Sequence, residues 1–166
     1  MRKSKYPSIG IMRALEKLIL ENDINSEWQI AWYKQVKKQY PSLDKLSFNK
    51  TKYNLKNKKY ISLNPIDKTF SITKRGRKYI LLDKIRNWEI DKVKEKNYSR
   101  LILFDIPETK KFVRNVIREK LEQNNCRRIQ KSAYITNHVC EKSIGYLSKL
   151  LNVTRHVIVL VVLSKK

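Results

Sequence analysis

The run from Arg100 to Glu108 limits what this chain can fold into more than any other stretch of the sequence. The apolar residues Leu101–Phe104 are followed by Asp105 and, two positions later, by Pro107. Proline has no backbone N–H and cannot continue a hydrogen-bonded strand through the interior of a sheet. The sequence therefore predicts a buried strand that stops here, with Asp105 at its end.

A helix and two short strands are predicted next. Between Lys110 and Asn124 apolar side chains recur at helical spacing, whereas Arg114 and Arg118 lie one turn apart on another face. Residues 126–130 and 132–135 then have the composition of two short strands or one bent strand. The apolar positions of the helix are Phe112, Val116, Ile117 and Leu121.

The remaining C-terminal residues complete this pattern. Lys142–Leu151 has helical periodicity, and Val157–Leu163 is an unbroken run of seven apolar, mostly β-branched residues. Such a strand is either buried on both faces or completed by a partner. The order strand, helix, strand, strand, helix, strand predicts a ferredoxin-like βαββαβ fold of minimal size. So small a sheet with so apolar a last strand also predicts a homodimer.

Helices dominate the N-terminal half. The first is predicted from an apolar stripe over Ile11–Ile19. The second begins near Asn25–Ser26, a favourable cap, and stops before Pro41. Its tryptophans, Trp28 and Trp32, are explained more simply as core anchors than as platforms for base stacking.

A third helix, from Leu43 or Ser47 to Lys58, precedes a predicted hairpin. Residues 60–63 and 69–73 are short strands joined by a turn-forming segment. Thr73 is placed to cap a helix that starts at Lys74. The few apolar residues of the third helix are Leu46, Phe48 and Leu55.

This order is that of a winged helix-turn-helix. Phe48–Ile61 resembles the recognition helix and first wing strand of that superfamily, and Ile72–Gly76 resembles the segment after the wing. Lys59 stands where the superfamily usually has glycine, and Lys52 where an apolar residue is usual. The resemblance implies major-groove contacts for Ser47, Asn49, Lys50, Tyr53 and Asn54, and phosphate contacts for Lys56, Lys68, Arg75 and Arg77. The alternative is a solvated helix face and a charged turn.

The charge of the chain favours a polyanionic partner. The net charge is +23. Residues 1–90 carry 21 basic and 8 acidic side chains, net +13, and residues 91–166 carry 17 and 7, net +10. Such an excess indicates nucleic acid before a membrane surface, although a lysine-rich codon bias would also produce it. With no spanning or export segment, and with Cys126 and Cys140 in no metal-ligand or disulfide pattern, we expect a cytoplasmic protein with buried free thiols.

The C-terminal half is also similar to a known family. Leu101–Glu108, the helix with Arg114 and Arg118, and Gln130–Ile135 resemble the C-terminal domain of the PaaX-type transcriptional repressors. That domain is itself similar to the small ferredoxin-like subunit of the CRISPR spacer-adaptation complex. PaaX-type proteins also carry an N-terminal winged helix, so the resemblance covers nearly the whole chain.

The CRISPR resemblance leaves an enzymatic alternative that depends on Asp105. In that relative the equivalent aspartates of two protomers are proposed to hold a divalent ion, Mg²⁺ or Mn²⁺, for phosphodiester cleavage. No second carboxylate or activated nucleophile is spaced with Asp105, and His138 and His156 have no partner pattern. Asp105 could instead cap the following helix or brace the end of the sheet.

We therefore expect an α+β chain with a winged helix-turn-helix over 1–90, a linker over 91–98 and a ferredoxin-like dimerisation domain over 99–166. The favoured function is that of a homodimeric transcriptional repressor that binds double-stranded DNA at a specific sequence. We expect it to need no cofactor. The alternatives are a metal-dependent nuclease and a protein that coats nucleic acid by charge alone. The sequence identifies no effector. A second basic surface, or a solvated face, is predicted at Arg114, Arg118, Arg127, Arg128 and Lys131.

Overall fold

The computed structural model describes residues 7–21, 28–66 and 69–164. It divides into two compact units, Met1–Arg86 and Asn87–Lys166. Each described unit contains both helices and strands, which confirms the α+β class. None of the helices in the described part of the chain combines the length and the apolar composition needed to span a bilayer.

The first unit contains four helices and a hairpin. In chain order these are α1 (Pro7–Leu20), α2 (Trp28–Gln39), α3 (Lys45–Asn57), β1 (Ile61–Leu63), β2 (Phe70–Ile72) and α4 (Lys74–Arg86). The two strands pair antiparallel, with Ile61 opposite Ile72. The cap predicted at Asn25–Ser26 lies outside the described residues.

Aromatic side chains form the core of the first unit. Trp28 and Trp32 are buried and stacked, with ring centroids 5.8 Å apart. The indole Nε1–H of Trp32 donates a hydrogen bond of 2.7 Å to the carbonyl oxygen of Ile11. The prediction that these tryptophans are core anchors is confirmed, and their burial excludes them from base stacking.

A close approach of two backbone segments fixes the hairpin against α4. The Thr73 hydroxyl accepts a hydrogen bond of 3.0 Å from the Gly76 N–H, as predicted for a cap, and lies 2.7 Å from the Lys59 carbonyl oxygen, to which it donates. A Cβ atom at Gly76 would collide with the carbonyl oxygen of Tyr60. Lys59 has a φ of 56°, the left-handed region that favours glycine.

The second unit is a four-stranded antiparallel sheet with two helices. Its elements are β3 (Tyr98–Phe104), α5 (Lys111–Gln123), β4 (Arg127–Gln130), β5 (Ala133–Thr136), α6 (Glu141–Leu150) and β6 (Val157–Leu163). The strand order across the sheet is β4-β5-β3-β6. β3 ends at Phe104, so Asp105 follows the strand directly, as predicted.

One face of this sheet carries the core. Ile102 of β3 is paired with Tyr134 of β5 and Val159 of β6, and this row packs with buried residues of both helices. α5 contributes Ile117 and Leu121 to this core. Phe112, which is predicted to belong to the buried stripe, is instead exposed. The buried stripe of α5 begins at Val113 and continues at every fourth residue through Ile117 and Leu121.

Among the strands that the structure describes, β6 is the outermost of its sheet and pairs only with β3. Of the two explanations for its apolar run, burial on both faces within this chain is therefore wrong. Its core-facing Val157 and Val159 are half-buried, whereas Ile158 and Leu160 on the other face are exposed.

The predicted linker over 91–98 differs from the structure, in which the division falls after Arg86. Trp88 and Ile90 are buried in the core of the second unit. The guanidinium of Arg100 pairs with Glu95 at 2.6 Å and with Glu141 at 2.9 Å. Glu95 thus attaches this charged segment to Arg100 of β3, a contact that the sequence pattern did not indicate.

Both cysteines are buried as predicted. Burial raises the pKa of the Cys126 thiol to about 11 and that of the Cys140 thiol to about 12. At neutral pH both side chains are protonated and shielded, so they serve packing rather than chemistry.

Candidate nucleic-acid interface

Helix α3 is held to the first unit by its buried side and begins at a well-formed cap. Phe48 and Leu55 are buried, and the Phe48 ring packs edge-on against Trp32 with centroids 5.3 Å apart. The Asp44 carboxylate accepts the Ser47 N–H at 2.7 Å. Hydrogen bonds from Ser47 to this carboxylate hold the pKa of Asp44 below its usual value. These contacts fix both the start and the orientation of the helix.

Four of the five predicted major-groove residues lie on the exposed side of α3. Their side chains have no hydrogen-bond or ion-pair partner among the described residues, so their polar groups are available to a ligand. These four are Asn49, Lys50, Tyr53 and Asn54.

Ser47 is placed differently. Its hydroxyl donates a hydrogen bond of 2.8 Å to Asp44 Oδ2, and the side chain is half-buried. It acts as part of the helix cap, and its hydroxyl proton is already used within the protein.

Three of the four residues predicted to contact phosphate lie on two different helices, with Lys56 on α3 and with Arg75 and Arg77 on α4. Lys56 and Arg77 are exposed, and Arg75 lies over the ring of Tyr60 at 5.2 Å from the guanidinium carbon to the ring centroid. Lys68 lies outside the described residues. Arg75 therefore combines a cation–π contact with an exposed charge.

Lys52, which departs from the winged-helix pattern, is half-buried rather than solvated. Its Nζ lies 5.7 Å from the Phe48 ring centroid and 5.8 Å from that of Phe70. Burial lowers the pKa of this lysine. The two aromatic faces accommodate a charge where an aliphatic side chain would be usual.

Sequence reasoning missed a functional candidate at Leu46. The sequence pattern groups this residue with Phe48 and Leu55 as one of the few apolar residues of the third helix. Its side chain is nevertheless 82% exposed. Tyr53, on the same side of α3, is 64% exposed. Residue type alone could not distinguish Leu46 from Phe48. Because a helix turns about 100° per residue, two residues separated by two positions lie on nearly opposite sides, so the burial of Phe48 implies the exposure of Leu46.

The second basic surface is only partly free. Arg114 pairs with Glu108 at 2.7 Å, which holds the pKa of Glu108 below its usual range. Arg118 Nε donates to the Lys131 carbonyl oxygen at 2.9 Å. The exposed members of the set are Arg127, Arg128 and Lys131.

Asp105 lies at the rim of the sheet in a cavity of about 350 Å³. Gln130, Ser132, Arg155 and His156 also line it. The N-terminal caps of the following 3₁₀ turn and of α5 are Pro107 and Lys110, neither with a side-chain cap hydrogen bond, so the alternative that Asp105 caps the helix is wrong. Among the described residues no group of three or more His, Cys, Asp or Glu side chains could hold a metal ion.

On the face of the sheet opposite α5 and α6, strands β5, β3 and β6 carry apolar side chains, whereas β4 places Arg127 beside Ile135 and Gln130 beside Ala133. Leu101 is paired with Ile135 and Leu160, and Leu103 is paired with Ala133 and Ile158. Because residues directly opposite each other share a face, these two rows lie side by side. Ile158 and Leu160 are 58% and 45% exposed.

Comparison with known proteins identifies one relationship. Neither a curated protein nor a solved structure matches the chain. Residues 98–165, which include all six elements of the second unit, match the family model of the PaaX protein central Cas2-like domain. The C-terminal part of the chain is therefore similar to the central Cas2-like domain of the PaaX proteins, in agreement with the resemblance of its sequence.

Proposed function

We propose that this protein is a sequence-specific, double-stranded-DNA-binding transcriptional regulator that acts as a homodimeric repressor in the cytoplasm. The observation that carries the proposal is the exposed side of α3, where Asn49, Lys50, Tyr53 and Asn54 are free to contact base edges. The similarity of residues 98–165 to the central Cas2-like domain of the PaaX proteins supports a role in transcriptional regulation.

We interpret the first unit as a winged helix-turn-helix on the basis of its element order. α3 follows α2 after a short turn, and the hairpin of β1 and β2 follows α3 directly. A helix anchored along one side and polar along the other can enter the major groove, which is about 12 Å wide. We assign α3 as the recognition helix and the hairpin as the wing.

The second unit supplies dimerisation in this proposal. Its βαββαβ order and its strand order support our assignment of a ferredoxin-like domain. The rows through Leu101 and Leu103 form an apolar face that a second copy, with the same face, can cover. A two-fold dimer contacts two half-sites, so the DNA site should be an inverted repeat.

The decisive experiment is selection of bound sequences from a random duplex pool at near-physiological salt. We expect the wild-type protein to enrich an inverted repeat, and a Lys50→Ala/Asn54→Ala variant to lose the enrichment. Lys38→Ala/Gln39→Ala removes the same charge and an exposed amide from α2 and should retain the selected sequence.

Either of two results would contradict this function. Bulk DNA binding with no enriched sequence, and with a steep dependence on salt, indicates a protein that coats DNA by charge alone. Equal enrichment by wild type and the α3 variant removes α3 as the recognition helix.

A metal-dependent nuclease is the second candidate, favoured by the cavity that Asp105 shares with His156 and Arg155. A carboxylate there could help to hold Mg²⁺ or Mn²⁺, with a second protomer supplying further oxygens. This function predicts cleavage of DNA or RNA that needs the metal and is abolished by Asp105→Asn. Cleavage that survives Asp105→Asn would exclude this site as its source.

A further inference from the structure

Leu46 is an exposed apolar residue on the side of α3 that faces away from the core. It lies in the first turn of α3, outside the core to which this helix contributes Phe48 and Leu55. Leu46, Lys50 and Tyr53 follow one another at i, i+4 and i+7, so they form one stripe on the outward side of the helix. The leucine thus stands at the N-terminal end of a stripe otherwise made of polar and aromatic groups.

The neighbours of Leu46 decide which kind of ligand can cover it. Lys45, Asn49 and Lys50 are all exposed around it. A second copy of this chain would bring the same lysines against these ones, which costs free energy. A polyanion that also presents an apolar group to the exposed side of α3 fits this stripe better than a second copy of the chain does.

The major groove of DNA presents such a group. The C5-methyl of thymine is the apolar feature of the base edges, and leucine-like side chains can pack on it. α3 contains Asn49, Asn54 and Asn57 and has no arginine. Asparagine pairs with adenine in a bidentate manner, whereas arginine or lysine is the commonest partner of guanine. Leu46 and the asparagines therefore suit A·T pairs, and Lys50 is the residue of the stripe that suits guanine or phosphate.

Resting on the proposed function, we propose that Leu46 contacts a thymine methyl group in the major groove, so that the protein requires an A·T pair at the position facing the first turn of α3. The N-terminal residues of a recognition helix are those that approach base edges most closely. RNA has neither this methyl group nor an accessible major groove, so the same contact selects DNA.

The test uses the full-length protein and the duplex enriched from the random pool. Each thymine is replaced in turn by deoxyuridine, which removes the methyl group and leaves the base pairing unchanged. Dissociation constants are measured by fluorescence anisotropy at fixed salt. We expect replacement at one position per half-site to weaken wild-type binding by roughly fourfold per methyl group, the free energy of one buried CH₂-sized group.

Variants at Leu46 identify the contact. Leu46→Ala should weaken binding to the thymine duplex and show no further loss on the deoxyuridine duplex, because the two changes remove the same contact. Leu46→Met should retain sensitivity to the methyl group. Leu20→Ala, at another leucine of the first unit that is 77% exposed, should bind both duplexes like wild type.

The outcomes distinguish this proposal from the one on which it rests. If no sequence is enriched, both fail. If a sequence is enriched but no deoxyuridine duplex binds wild type more weakly, or if Leu46→Ala remains sensitive to the methyl group, the proposed function stands and the Leu46 contact is wrong. Melting curves confirm that the variants fold.

Discussion

The two units of this chain leave different surfaces without a partner. In the first unit the exposed side of α3 carries asparagine and lysine side chains around Leu46 and Tyr53. In the second unit the exposed face of the sheet carries aliphatic rows that include Ile158 and Leu160 and that end at Arg127 and Gln130 of β4. Both units are basic in composition, so charge does not distinguish them. The distribution of apolar side chains does distinguish them, and we propose DNA as the ligand of the first surface and a second copy of the chain as the partner of the second.

The largest effect that we expect tests the second surface. Leu160→Asp places a carboxylate in the proposed dimer interface, where it would be buried without a partner. We expect the dimer dissociation constant to rise at least about 100-fold. Analytical ultracentrifugation measures it, and Phe112→Asp, at an exposed apolar residue on α5, is the control.

If Leu160→Asp and wild type have the same mass at all concentrations, the aliphatic rows are not a homodimer interface. Near-ultraviolet circular dichroism distinguishes that result from loss of the folded second unit.

A pair of glycine substitutions compares how tightly the two units are packed. Gly76→Ala places a methyl group against the Tyr60 carbonyl oxygen, and we expect it to lower the free energy of unfolding by about 1–3 kcal/mol. At Gly145, within α6, an added Cβ meets no atom within 4 Å. Gly145→Ala should raise the free energy of unfolding by about 0.5–1 kcal/mol.

Urea denaturation monitored by tryptophan fluorescence measures both changes. Equal midpoints for Gly76→Ala and wild type would show that the hairpin moves away from α4 at no cost, and would contradict the fixed geometry of the candidate wing.

A smaller effect is expected after α3, at Lys59. Lys59 has a φ of 56°, where its Cβ atom is crowded by the backbone. Glycine has no Cβ atom and adopts this φ without strain. Lys59→Gly should therefore raise the free energy of unfolding by about 1 kcal/mol. Lys58→Gly, at the neighbouring residue with a φ of −75°, should give no gain, and a gain there would make the left-handed explanation wrong.

The smallest effect concerns the ion pair of Glu108 with Arg114. Hydrogen bonding by Arg114 lowers the pKa of Glu108, so the folded state holds its proton less tightly than the unfolded state. The stability from this pair is present above the usual pKa of a glutamate and is lost as pH falls through the lowered value. Because Glu108 is exposed, the change in the urea midpoint should be small.

Side-chain carbon NMR follows the titration of Glu108 directly. Its midpoint should lie below 4.5 in wild type and return towards 4.5 in Arg114→Ala. An unchanged midpoint in the variant would mean that Arg114 is not committed to Glu108 and remains available to nucleic acid.

Sequence reasoning predicted elements better than it predicted which side chains are free. The apolar run Val157–Leu163 gave β6 its observed bounds, since an unbroken run of β-branched residues has few other structures available. The same run did not reveal the edge position of β6, because strand order depends on pairing between distant residues.

The candidate site shows the same limit. Periodicity predicted α3, but the use of Ser47 as a capping partner and the exposure of Leu46 depend on where the helix begins, a boundary that patterns define poorly. The ion pairs of Arg114 and Glu95 were not predicted either. Their partners, Glu108 and Arg100, lie in neighbouring elements of the chain and at no helical spacing from them.

The burial of the two cysteines has a practical consequence for spectroscopy. With thiol pKa values of about 11 and about 12, Cys126 and Cys140 react slowly with maleimides near neutral pH. A single cysteine introduced at an exposed position of α3, such as Asn57, would then be the reactive thiol of an otherwise native chain. A fluorophore or spin label placed there would report the approach of DNA without removal of either natural cysteine.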